Sequence, residues 1–166
     1  SIISIIIRFK FRISFNYIKS INSFIAHIGV GIMIIGITFS SIFQKEYDFN
    51  IAIGEEINLN ENILKLENIE VIQKENYQSL TAFFSLRNNG EFIDYILPGK
   101  NYYPVSKIIT TEAGIYHDWL KDIYITLGSQ EDNIWNIKLY INPLVSFIWF
   151  GVFIMVFSGL IAIFKK

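Results

Sequence analysis

Two long apolar runs, with a stretch of short alternating runs between them, organise the 166 residues of this chain. Residues 21–43 are apolar except for small polar residues and one histidine. As a helix, a run of this length reaches about 34 Å, enough for a hydrocarbon core of about 30 Å. Residues 144–164 form a second run of similar length. Pro143 stands just before it, where proline suits the first helical turn. Trp149 lies near its start, at a depth typical of interfacial aromatics. Residues 1–7 (SIISIII) read as the tail of an earlier transmembrane helix, followed by a basic inner loop up to residue 20. The expectation is therefore the C-terminal part of a larger protein.

The segment between the runs, residues 44–143, reads as β. Alternation runs over residues 47–53, 63–72, 123–127 and 134–141. Residues 80–86 and 91–97 flank Asn88-Asn89-Gly90, a hairpin signal because Asn-Gly tolerates positive φ. Residues 111–120 are expected to hold a helical turn. The fold class predicted is a membrane protein of α+β type, with two transmembrane helices bracketing an antiparallel β-sandwich or small β-barrel. Residues 165–166 form a short basic tail.

Charge turns this layout into an orientation. Arg8, Lys10, Arg12 and Lys19 precede the first run, Lys165 and Lys166 follow the second, and no acidic residue accompanies them. All 15 Asp and Glu lie between the runs with 8 of the 14 Lys and Arg, so the flanks carry +6 and the middle −7. The positive-inside rule then places both termini on the cytoplasmic or matrix side of an inner membrane, bacterial or mitochondrial. The β-domain faces the periplasm or intermembrane space. The chain contains no cysteine, which excludes disulfides, thiolate metal sites and a Cys nucleophile. No phosphate-cradling glycine loop, catalytic triad or basic nucleic-acid stripe is present, so no nucleic-acid partner is expected.

His27 is the candidate functional residue. It lies about 12 Å along the helix past Lys19, a depth at which an ionisable side chain is costly and usually partnered. Ser20, Ser23, His27, Gly31, Thr38 and Ser41 fall near one helical face, and Gly29, Gly31 and Gly36 remove bulk nearby. Such a helix can bring its backbone close to another helix or to a flat cofactor. One reading makes His27 an axial heme ligand through a neutral ring nitrogen. The other is a histidine hydrogen-bonded to a neighbouring helix. His117, in Tyr116-His117-Asp118-Trp119, reads as a lone surface histidine, since no spacing supplies further metal ligands.

An ordered set of short motifs carries a resemblance. Ala26-His27-Ile28-Gly29 opens a span. Thr111-Glu112-Ala113-Gly114-Ile115 and Asp122-Ile123-Tyr124-Ile125-Thr126-Leu127-Gly128 follow in the β-domain, then Trp135, Tyr140, Pro143, Ile148-Trp149-Phe150-Gly151, Met155 and Gly159. From about Lys19 onward the chain resembles the C-terminal end of the cytochrome c maturation heme lyase family of CcmF/NrfE type. That resemblance implies part of a polytopic membrane enzyme that attaches heme covalently to apocytochrome c. It implies heme, a heme-carrying chaperone, and apocytochrome c with its thiol-reducing factors as partners in the membrane.

It also implies a b-type heme within the membrane, for which His27 matches one of two transmembrane ligands. The family's tryptophan-rich segment, its flanking histidines and the other transmembrane histidine have no counterpart in this sequence, so no catalytic residue is assigned. Two departures stand out. Gly99-Lys100-Asn101-Tyr102-Tyr103 replaces an acidic-Lys-Arg-x-Tyr stretch. Lys138 stands where an arginine is common, and the two differ in fork geometry. Without the resemblance, the layout would equally suit a two-span anchored sensor or assembly factor with a β ligand- or protein-binding domain.

Overall fold

A computed structural model describes residues 2–59 and 61–164, the side chains of residues 2–20 and 164 excepted. The chain divides into two compact units, one helical and one of strands, with the break at Ile42/Phe43 and Pro143/Leu144.

The helical unit pairs α1 (Ile2–Ile42) with α2 (Val145–Phe164). Within them, Ile21–Ile42 and Val145–Ile163 are long and apolar enough to cross a membrane. Helix α1 runs unbroken from Ile2, whereas a loop was expected before residue 20. No proline or glycine occurs ahead of Gly29 to stop it. Ser1 and the basic tail at 165–166 lie outside the described residues. The two helices are antiparallel and meet through small residues. A Cβ added at Gly29 would stand 2.8 Å from Gly151 O, and one at Gly36 2.8 Å from Ile148 N. One at Gly151 would stand 2.5 Å from Gly29 O. Ser158 donates to the Asn22 carbonyl at 2.6 Å, one helix to the other. With little hydrophobic gain from helix contact inside lipid, such close backbone approach is what holds a pair together.

The second unit resolves the sandwich-or-barrel alternative as a sandwich of two antiparallel sheets. One sheet has the order β1 (Lys45–Ala52), β10 (Ile134–Pro143), β9 (Lys121–Glu131), β8 (Gly114–His117). The other runs β2 (Glu56–Leu59), β3 (Asn62–Gln73), β4 (Gln78–Asn88), β6 (Gly99–Tyr103), β7 (Ile108–Glu112), with β5 (Glu91–Ile96) also on β4. Strands β5 and β6 share β4 end to end. Between them Pro98, which has no N–H for the ladder, contributes its carbonyl to Ala82 N at 2.9 Å.

The predicted hairpin is present. Asn89 (φ 49°) and Gly90 (φ 86°) both take positive φ, as a type I′ turn requires. Asp132 (φ 50°) and Asn133 (φ 76°) make an equivalent turn between β9 and β10 without a glycine. The inner faces supply one core. Ile51, Ile123, Ile125, Leu127, Ile137 and Leu139 come from the first sheet, and Leu64, Leu66, Phe84, Leu86 and Ile96 from the second, all essentially inaccessible to solvent. In β3 the apolar set slips from Leu64 and Leu66 to Ile69 because a bulge shifts register between Leu66 and Asn68.

Residues 111–120 differ from expectation: they form the end of β7, strand β8 and a turn, with no helical turn. A Cβ at Gly114 would stand 2.6 Å from Pro98 N and 2.7 Å from Ile96 Cγ2, so β8 begins pressed against the other sheet. Ile115 and Tyr116, side chains suited to a pleated surface, carry it on.

Candidate functional site

His27 is held by its own helix. Its Nδ1 lies 2.6 Å from the Ser23 carbonyl oxygen, one turn back. A carbonyl only accepts, so Nδ1 carries the proton. In the neutral ring Nε2 then keeps its lone pair. Fixing one ring nitrogen on a backbone carbonyl is the usual way a protein orients an imidazole that ligates metal through the other.

The face that bears the ring is the one α1 does not use for α2. His27, Gly31, Thr38 and Ser41 are exposed in the helix pair, while Gly29 and Gly36 are buried in it. The three glycines therefore do two jobs. Gly29 and Gly36 admit α2. Gly31, one turn beyond His27, has nothing within 4 Å of where its Cβ would be. An imidazole with a free Nε2 beside an open, side-chain-free step leaves room for the face of a flat macrocycle whose metal that nitrogen would ligate. Among the described residues, the hydrogen bond of His27 is the one to Ser23 O on its own helix.

Sequence reasoning did not assign Gly151 and Ser158 to this pairing. Their seven-residue spacing, equal to that of Gly29 and Gly36, was the available signal.

In the β-domain His117 is tied to a carboxylate. It lies opposite Asp122 across β8 and β9, and its Nδ1 stands 3.0 Å from Asp122 Oδ2, off the line of a directed hydrogen bond. The ring is largely exposed and the carboxylate 2% exposed, so this is an edge contact within one hairpin. Lys138 and Tyr140 form a second polar group with β1. Lys138 Nζ lies 3.3 Å from Glu46 Oε1 and 3.7 Å from Asp48 Oδ1, and Tyr140 donates to Glu46 Oε1 at 3.0 Å. The hydrogen bond to Glu46 pushes both Lys138 and Tyr140 above their ordinary values. About half-exposed, this is a solvated cross-strand cluster of modest strength.

Two apolar helices that bracket a curled antiparallel β-sandwich, one of them with a histidine on its open face, define a class of membrane protein. Comparison with known proteins makes this specific. The family model described as the CcmF C-terminal beta-sandwich matches residues 42–143. The chain belongs to the CcmF family and corresponds to its C-terminal part.

Among relatives, the cytochrome c-type biogenesis protein CcmF of Pseudomonas fluorescens is 32% identical over 83% of this chain and 21% of its own length. That of Haemophilus influenzae is 31% identical over 86% of this chain and 22% of its own. The cytochrome c-type biogenesis protein NrfE of Haemophilus influenzae is 28% identical over 84% and 22%. The chain thus spans about a fifth of the length of these relatives. A solved structure, the cytochrome c heme lyase CcmF, matches in fold with a TM-score of 0.74 at 14% identity, over 87% of this chain and 24% of that one.

Proposed function

We propose that this chain is the C-terminal part of a membrane heme lyase for cytochrome c maturation, and that His27 is one axial ligand of a b-type heme within the membrane. The observation that carries the reading is the geometry at His27. Nδ1 is committed to Ser23 O, Nε2 is free, and Gly31 leaves the adjoining step bare. Membership of a family whose relatives are cytochrome c-type biogenesis proteins supports the same reading.

A heme bound there would supply one-electron redox chemistry at its iron. The chain's own part is narrower. Ser23 O orients the ring and directs Nε2 away from its own helix backbone, and the helix backbone fixes its height in the bilayer. We assign the β-domain to the periplasmic or intermembrane-space side, where it would help position apocytochrome c, its thiol-reducing factors and the heme-carrying chaperone. No step of covalent heme attachment is assigned to a residue of this chain.

The test is the b-heme content of the complete protein carrying His27→Ala, read by pyridine hemochrome. We expect a loss of most of that heme with the protein still inserted and monodisperse. Undiminished b-heme would sink the assignment.

A further inference from the structure

The hairpin between β8 and β9 turns on two residues, Trp119 and Leu120. Asp118 N donates to Lys121 O at 3.0 Å and closes the turn beneath them. They are 80% and 65% exposed. Hairpin turns favour Asn, Asp and Gly for their backbone freedom and polarity. Nothing in turn geometry calls for two large apolar side chains side by side at an exposed tip.

Register and chain continuity say what lies next to that surface. Lys121 is opposite Pro143 on β10, and Val145, two residues on, is the first residue of α2. Along the same sheet end, Lys45 is opposite Ile141, and α1 ends three residues before Lys45. Both chain connections to the spans therefore leave from the end of the sheet that bears Trp119 and Leu120. Two residues reach about 7 Å at most and paired strands are about 5 Å apart, so the turn is within short covalent reach of the start of α2. Phe43, Leu59, Leu120 and Pro143 line a shallow hollow along this end, with Lys45 and Lys121 also in its wall. Tryptophan favours the membrane–water boundary, where its ring is buried and its N–H stays wet. Lysines there meet lipid phosphates.

We propose that the Trp119–Leu120 hairpin is a membrane-interface anchor. It seats in the headgroup layer of the bilayer that α1 and α2 cross, and fixes the β-domain at that surface. The occupant of this apolar end is lipid, because the chain's own spans begin there.

The absence of cysteine gives a clean test. Leu120→Cys and Val105→Cys each place one nitroxide label on the full chain, reconstituted in vesicles of equal parts phosphatidylcholine and phosphatidylglycerol. Val105 is 98% exposed, in the turn after β6. There Tyr102 lies opposite Gln78, at the end of β4 away from Asn88. Accessibility to oxygen and to an aqueous nickel chelate is read by power saturation. We expect the label at 120 to meet several-fold more oxygen and several-fold less nickel chelate than the label at 105. A label at 120 as open to the chelate as the one at 105 would overturn the anchor. So would one shielded from both relaxants, which would mean a protein partner. Trp119→Cys provides a second position with the same expectation.

Discussion

Glu67 sits on the bulge of β3, and its carboxylate gathers the polar groups that the bulge leaves there. The Ser85 hydroxyl, on a buried residue, donates to Oε1 at 2.7 Å. Lys65 Nζ lies 2.9 Å from Oε2, and Arg87 approaches at 3.8 Å. The hydrogen bond from Ser85 first, then that from Lys65, hold its pKa below the ordinary carboxylate value. A carboxyl depressed by folding adds stability that is fully present above its unfolded value, about 4.3. That stability is lost as pH falls through the folded value. Glu67→Gln should therefore lower β-domain stability at pH 7 and lose its effect progressively in acid. Denaturant unfolding across that range, followed by near-ultraviolet circular dichroism, reads the difference. A gap between parent and variant that widens in acid would contradict the assignment. His27 is the contrasting case at this scale. Its identity was legible in the sequence because an ionisable residue in an apolar run stands out, but the state of its nitrogens needed the Ser23 contact.

At the scale of elements, legibility followed burial. Strands β3, β4, β9 and β10 have an inner face, so their alternation could be read. Strand β7 is exposed at every residue and β8 is four residues long, so neither carries a hydrophobic period. Without alternation, the sequence of that stretch suggests a helical turn instead of two short strands. The glycines of α1 raise a related difficulty. In sequence Gly29, Gly31 and Gly36 look alike; only the position of α2 separates the two that are covered from the one that is open.

This difference is measurable. Gly151→Ala puts a methyl group 2.5 Å from Gly29 O and 2.7 Å from Met33 N. Overpacking of that kind costs about 1–3 kcal/mol. Gly159, also on α2, has nothing within 4 Å, so Gly159→Ala should leave the pair intact and add up to about 1 kcal/mol of helix propensity. Unfolding in mixed micelles titrated with sodium dodecyl sulfate should rank the two variants on opposite sides of the parent. Equal stability would mean that α1 and α2 do not meet through Gly151.

For the whole molecule, two antiparallel candidate spans imply parity, and the sidedness we propose follows from charge. Two spans running in opposite directions return the chain to the side from which it started, so one probe at either end fixes the β-domain on the other side. The flanks carry +6 without an acidic residue and the segment between carries −7. Basic residues within about 15–20 residues of a span end are the ones that are retained inside, and long acidic domains contribute little to orientation. The proposed orientation therefore rests on Arg8, Lys10, Arg12, Lys19, Lys165 and Lys166, not on the acidity of the domain. A fluorescent protein that matures only in the cytoplasm, fused after Lys166 in a bacterial host, should light up. Val105→Cys, the only thiol in the chain, should react with a membrane-impermeant maleimide on intact spheroplasts. A dark fusion together with a thiol protected until lysis would reverse the orientation and move the β-domain away from the compartment in which we place its partners. Replacing the six flanking Lys and Arg by Gln should weaken the bias and yield a mixture of both orientations. That outcome would tie the sidedness to those charges and exclude the domain's own net charge as its cause.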